Sequence, residues 1–355
     1  MQKITAYLQQ LRDKKFILLM SLLAALTAWR IVYIQHGWIN VDSLIYFESA
    51  RLFSIGEFKQ GLAIFNWPLY SLLISAVNRI SNLSIHTSAL LLDIIFFAIS
   101  AFSFSHLIKL AGGNKLTIAC GIFLLLSTPY IVGDILPMLL RDQGFWAAFL
   151  TSLVFFIRYY RTKKISDALL WQLSAIISML FRIEGISYLV GLPFILWLNS
   201  TLNYQQKTKQ FLLINSIAIL GLLLILAMLT LSPSVTLADF CRIKEVIFLL
   251  SDIAQTFNAK AALMGKVLGE YFEDYGFITL IAGLLTILIL KIINIISWPI
   301  IVLYALNRSN ENMQQLALEK DTRIIFYSVI VIAIINACAS LARVFVLSNR
   351  YIIVI

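Results

Sequence analysis

The sequence predicts an all-α fold, a polytopic transmembrane helical bundle, and three observations point to it. Hydrophobic residues make up 60% of the 355 and charged residues only 13%, about half the charged share of a soluble domain. Mean hydropathy is +0.88. The apolar residues fall in runs of about 20, the length a helix needs to cross roughly 30 Å of hydrocarbon. A soluble enzyme, a disordered scaffold and a secreted disulfide module are excluded. The short alternating strands of an outer-membrane barrel are absent from the pattern.

Taken in order, the elements begin with a basic N-terminus, Lys3, Arg12, Lys14 and Lys15, before an apolar stretch from Phe16. That stretch is too long for a signal-peptide core and has no small-x-small cleavage site, so it reads as an uncleaved first span. Further spans are expected near 87–108, 116–133, 143–159, 167–183, 186–199, 211–231, 276–300 and 324–346. Tyr351 to Ile355 read as the start of another, for about nine to ten spans in a chain that stops inside an apolar run. The segment 67–80, WPLYSLLISAVNRI, is short for a span and suits an interfacial or re-entrant helix.

Charge decides how that segment is read. If 67–80 does not cross, the N-terminus and the loops at 109–115, 158–164, 200–210 and 306–323 share one side. That side then holds most of the 28 Lys and Arg, and most of the 18 acids fall opposite. By the positive-inside rule the basic side is cytoplasmic. The expectation is therefore one integral membrane domain over 1–355 with a cytoplasmic N-terminus. A first external loop, 36–86, carries surface helices, and a second long external loop covers 232–275.

The net charge of +10 is spent between spans, which reads as topology control and not as a nucleic-acid patch. Cys120, Cys241 and Cys338 are too scattered for a disulfide framework or a metal site, and His36, His86 and His106 do not cluster. The chain has no GxGxxG fingerprint, P-loop or HExxH, which argues against a nucleotide-sugar site and ATP-driven transport.

The candidate chemistry starts after the first span, at Asp42-Ser43-Leu44-Ile45-Tyr46, then Ala50-Arg51, Gly56 and Trp67-Pro68-Leu69-Tyr70. On a helix Asp42 and Tyr46 share a face. An acid just above a membrane suits a general base acting on a hydroxyl acceptor; the alternative is that Asp42 caps an interfacial helix. Arg141-Asp142 opens a later span, with Asp134 nearby. Two external acids could share a divalent cation, Mg or Mn, or position an acceptor, while Arg141 faces a phosphate. Phe181-Arg182-Ile183-Glu184-Gly185 joins two spans, where ionisable residues are functional candidates. There Arg182 could meet a donor phosphate or simply pair with Glu184. Ser348-Asn349-Arg350-Tyr351 follows the last full span. Arg30 and Asp93 lie in or near spans, where a helix partner is expected.

These motifs resemble the GT-C membrane glycosyltransferases, above all the protein O-mannosyltransferases and the lipid A 4-amino-arabinose transferases. The likeness rests on D-x-x-x-Y-x-x-x-A-R, a Gly and a Pro-Leu-Tyr turn in the first external loop, and on the Arg-Asp, Glu-Gly and Arg-Tyr positions over roughly residues 16–200 and beyond. Relatives often carry an acidic or Lys residue and a second Pro where this chain has Phe65-Asn66-Trp67. The resemblance implies transfer of a sugar from a polyprenyl-phosphate donor to a lipid, glycan or protein acceptor, at the outer face of a bacterial inner membrane. It assigns the catalytic base to Asp42, acceptor positioning to Asp142 and Tyr46, and phosphate binding to Arg182, Arg141 and Arg350, with Glu184 and Tyr351 in support. The alternatives are a polymerase or ligase using undecaprenyl-diphosphate glycans, and a transporter or lipid flippase. The last would be expected to show inverted repeats or broken helices.

Overall fold

A computed structural model describes residues 12–35, 39–128, 130–198, 203–231, 249–296 and 319–345. Among these residues the fold is helical throughout, with no strand. Four helices are long and apolar enough to cross a membrane, or five if one bent pair counts as a single span. The chain divides into two compact units, residues 1–230 with 318–325, and residues 231–317 with 326–355.

In the first unit the leading span is α1, Asp13–Gln35. Three short helices follow: α2 (Val41–Ser54), α3 (Phe58–Ile64) and α4 (Leu69–Ser81). Asn40 starts α2. Its carboxamide accepts from the Ser43 amide at 2.8 Å, and the Ser43 hydroxyl reaches back to the Asn40 amide, a reciprocal capping box. The cap is thus Asn40, which corrects the alternative that put Asp42 there. At 1.5 Å per residue the 13 residues of α4 reach about 20 Å, short of the hydrocarbon thickness. One stripe of α4, Tyr70, Ser71, Ile74 and Ser75, is buried. The surface-helix expectation for 67–80 therefore meets a helix of suitable length.

The centre of the unit is built by α5 (Ile85–Leu110), α7 (Asp142–Thr162) and α8 (Ile165–Phe181). Phe156 meets Trp171 edge-on at 4.9 Å and Phe96 meets Phe181 at 5.3 Å. Gly144 lets α7 approach α8, because a Cβ there would collide with the Phe181 ring. Lys163 closes α7 with φ 57°, in the left-handed region, so that α8 returns alongside it.

Two expected spans are shorter than their apolar runs. Helix α6, Lys115–Ser127, does not reach residue 133. Thr128 is extended just before Pro129, as a residue preceding proline favours, and a π-type turn covers Tyr130–Ile135. Helix α9, Gly185–Gly191, tightens to a 3₁₀ helix over Leu192–Leu198, where Pro193 brings no N–H to an α-helical ladder. Helix α10 (Tyr204–Ile214) then meets α11 (Ser216–Leu231) at a 66° bend.

The second unit holds α12 (Leu249–Leu268), a 3₁₀ turn (Glu270–Tyr275), α13 (Gly276–Ile296) and most of α14 (Lys320–Val344). Gly265 and Gly276 bring the backbones of α12 and α13 together. Leu288, Ala337 and Leu341 form its buried cluster.

Candidate functional site

The predicted site residues that the structure describes gather where α2 meets the segment leading into α7 and the corner between α8 and α9. Ser43, one residue past Asp42, is fully buried and donates to the Leu139 carbonyl at 3.1 Å. The Asn40 amide group reaches the Met138 sulfur at 3.4 Å. The first turn of α2, which carries the half-buried Asp42, is thereby docked onto residues 138–139. One turn on, Tyr46 is buried. The Arg141 guanidinium lies 6.0 Å from the Tyr46 ring centre and 5.2 Å from that of Phe65. Aromatic faces attract a cation placed there.

Asp142, the first residue of α7, and Arg182, the C-cap of α8, are 1% and 4% exposed. Arg182 donates through Nη1 to Asp142 Oδ1. It also offers Nη2 and Nε to the two carboxylate oxygens of Glu184, at 3.1 and 3.4 Å. One buried guanidinium thus ties two acids together, using the planar fork that lysine lacks. Asp142 Oδ2 stays buried with no hydrogen-bond partner. For Glu184, burial by itself would raise the carboxyl. The charge and hydrogen bonds of Arg182, its own backbone amide and the charge of Arg141 outweigh that and hold it at about 2. Glu184 is therefore an anion at neutral pH and has no proton to give.

Behind this cluster Tyr70 donates to Asp93 Oδ1 at 2.9 Å, with both residues buried. Tyr70 also meets Tyr46 edge-on at 5.4 Å. The helix partner expected for Asp93 is this tyrosine. Trp67, at the position where the motif departs from the GT-C pattern it resembles, donates its indole N–H to the Met179 carbonyl at 3.2 Å. Phe65, from the same departure, carries Arg141. Sequence reading missed both roles. The available signal was that aromatic residues stand where the pattern carries an acidic or Lys residue and a second Pro.

The structure brings together Asp142, Arg182, Glu184, Arg141 and Tyr46. Arg350 and Tyr351 lie outside the described residues, as does the Asp134 side chain. The two acids expected to share a divalent cation, or to position an acceptor, include Asp142, which is paired with Arg182. No group of three His, Cys, Asp or Glu stands together among the described residues. A shared cation would have to displace a guanidinium that already binds both Asp142 and Glu184.

Comparison with protein-family models, with curated proteins and with solved structures finds no match to the chain. The likeness to GT-C enzymes rests on the sequence motifs alone.

Proposed function

We propose that the chain is an integral membrane glycosyltransferase of the GT-C kind, with about nine to ten spans in a bacterial inner membrane and its site at the outer face. It moves a sugar from a polyprenyl-phosphate donor to a lipid, glycan or protein hydroxyl. One observation supports this reading most: the helix that carries Asp42 is docked, through Ser43 and Tyr46, onto the corner where Arg141, Asp142, Arg182 and Glu184 converge. An acid for the acceptor and a cation for the phosphate then stand on adjoining elements.

In this reading the acceptor oxygen attacks the anomeric carbon and Asp42 takes its proton. The bond from that carbon to the phosphate oxygen breaks, and the polyprenyl phosphate leaves with the electron pair. Arg141, held on two ring faces, offers its charge to the departing phosphate. Arg182 is engaged by both acids and acts by fixing Asp142 and Glu184, which define the acceptor side.

The test is transfer by the purified chain, in detergent with polyprenyl carrier, from a set of polyprenyl-phosphate sugars. Asp42→Asn keeps the side-chain shape and removes the proton acceptor, so turnover is expected to fall by about 10²–10⁴. Turnover at the wild-type rate removes Asp42 from the chemistry. Failure of the folded wild-type chain to bind any lipid-linked sugar removes the transferase reading.

A further inference from the structure

The 66° bend between α10 and α11 is built into the fold. Gln172 of α8, fully buried, donates to the Leu213 carbonyl at 3.2 Å and accepts from the Ile217 amide at 2.7 Å. It satisfies backbone groups that the bend takes out of the helix ladder. The Asn215 side chain donates to the Phe211 carbonyl at 2.9 Å. Helix α11 is apolar along its length with no buried residue, as a lipid-facing span would be. When α11 runs along the membrane normal, α10 runs closer to the membrane plane than to the normal.

The two sides of α10 differ. Lys207, Phe211 and Ile214 face the protein: Lys207 donates to the Trp197 carbonyl at 2.9 Å, Phe211 packs on Phe194 at 5.2 Å, and Ile214 is buried. Turned away from them, Gln205, Thr208, Lys209 and Leu212 line an open groove of ≈ 380 Å³ together with Tyr204, whose ring also meets Trp197 edge-on at 5.5 Å. Its chemistry is graded along the helix. Tyr204 and Gln205 sit at one end, Thr208 and the exposed Lys209 in the middle, and Leu212 toward the apolar α11. In the charge-based reading of the sequence the loops at 158–164 and 200–210 share one side of the membrane. Of the basic corner between α7 and α8, Arg158 pairs with Asp167 and Arg161 with Glu319, while Lys163 and Lys164 add positive charge to that side.

We propose that this face of α10 binds the headgroup of an anionic phospholipid of the bilayer. Lys209 meets the phosphate, the Tyr204 hydroxyl and the Gln205 amide meet the glycerol and headgroup oxygens, and an acyl chain follows Leu212 onto α11. A helix lying in the interface with a basic, apolar-edged face suits such a lipid. Lys209, on the side that the sequence reading makes basic, selects an anionic headgroup over a zwitterionic one, and a lysine at a membrane surface contributes about a five-fold preference. The inference is independent of the transferase reading.

The test uses the full chain with Cys120, Cys241 and Cys338 changed to Ser and a fluorophore on Gln205→Cys, reconstituted in phosphatidylcholine vesicles. Phosphatidylglycerol brominated high on its acyl chains is added in one series and phosphatidylcholine brominated identically in another. Half-quenching is expected at an about five-fold lower fraction of the phosphatidylglycerol, and Lys209→Gln is expected to bring the two curves together. Equal quenching by both lipids overturns the proposal, as does a Lys209→Gln variant that keeps the preference. Absence of quenching by either lipid places the face outside the bilayer, open to a soluble partner, and also overturns it.

Discussion

Arg182 governs the corner at the residue scale. Removing one partner of a buried ion pair strands the other charge, at a cost of about 3–5 kcal/mol. Arg182→Gln is therefore expected to lower thermal stability in detergent by that order, and the further change Asp142→Asn to recover the share that comes from Asp142, with Glu184 still lacking its partner. A single variant as stable as wild type would show that the pair does not hold the corner. Arg182→Lys keeps the charge without the fork and should fall between the two. The pH dependence follows from Glu184. Its folded value, about 2, lies below the ordinary glutamate value of 4.5, so its contribution is present in full above about 4.5. It is lost as pH falls toward 2. Glu184→Gln should flatten the acid limb of stability across that window, and an unchanged limb would assign it to other carboxylates. The Arg182–Glu184 pairing was legible in the sequence because the two are neighbours on the chain. Asp142 was legible as an acid but not as their partner, since 40 residues separate it from Arg182 and no local pattern encodes that contact.

At the scale of elements, the close approach of α7 and α8 depends on Gly144. Gly144→Ala drives a methyl into the Phe181 ring, and overpacking of this kind costs about 1–3 kcal/mol. Because Phe181 adjoins Arg182, the variant should also loosen the ion-paired corner. The readout is thermal unfolding of Gly144→Ala beside Gly133→Ala, a position where an added Cβ meets nothing within 4 Å. Equal stability of the two variants would deny the close packing. Hydropathy located α1, α5, α7, α8, α13 and α14 within a few residues because lipid-facing runs are long and uniform, but α12, Leu249–Leu268, lies inside the stretch 232–275 that it read as a loop. It overran α6 and missed the tightening of α9, where Pro129 and Pro193 stop a run that stays apolar. It also read α10 and α11 as one segment from 211, because the bend is made by Gln172, a residue on another helix.

For the whole molecule, the expectation that matters most is that α2, α3 and α4 share one side of the membrane. Cysteines placed at Lys59 and Asn82 in otherwise cysteine-free chains should label from the same side with an impermeant reagent. Labelling from opposite sides would make α4 a span and move Asp142 and Arg182 to the other face relative to Asp42. Charge asymmetry carried this topology in the sequence, because loop charges are a property of the whole chain. The depth at which each helix sits was not legible in the same way. Four or five helices satisfy length and apolarity by themselves, while α7 and α8 depend on what packs beside them.

The pairing of Asp142 with Arg182 also has a consequence for biosynthesis. A ribosome adding about 5–20 residues per second needs roughly 2–8 s to reach Arg182 after Asp142. About halfway through that interval α7 is complete, with an acid at its start and no cation yet made to meet it. The hairpin of α7 and α8, closed by the left-handed turn at Lys163, is the smallest piece of chain that brings the two charges to the same end. The lipid phase is thus expected to receive α7 and α8 as a pair, with α7 waiting at the insertion machinery until its partner is made.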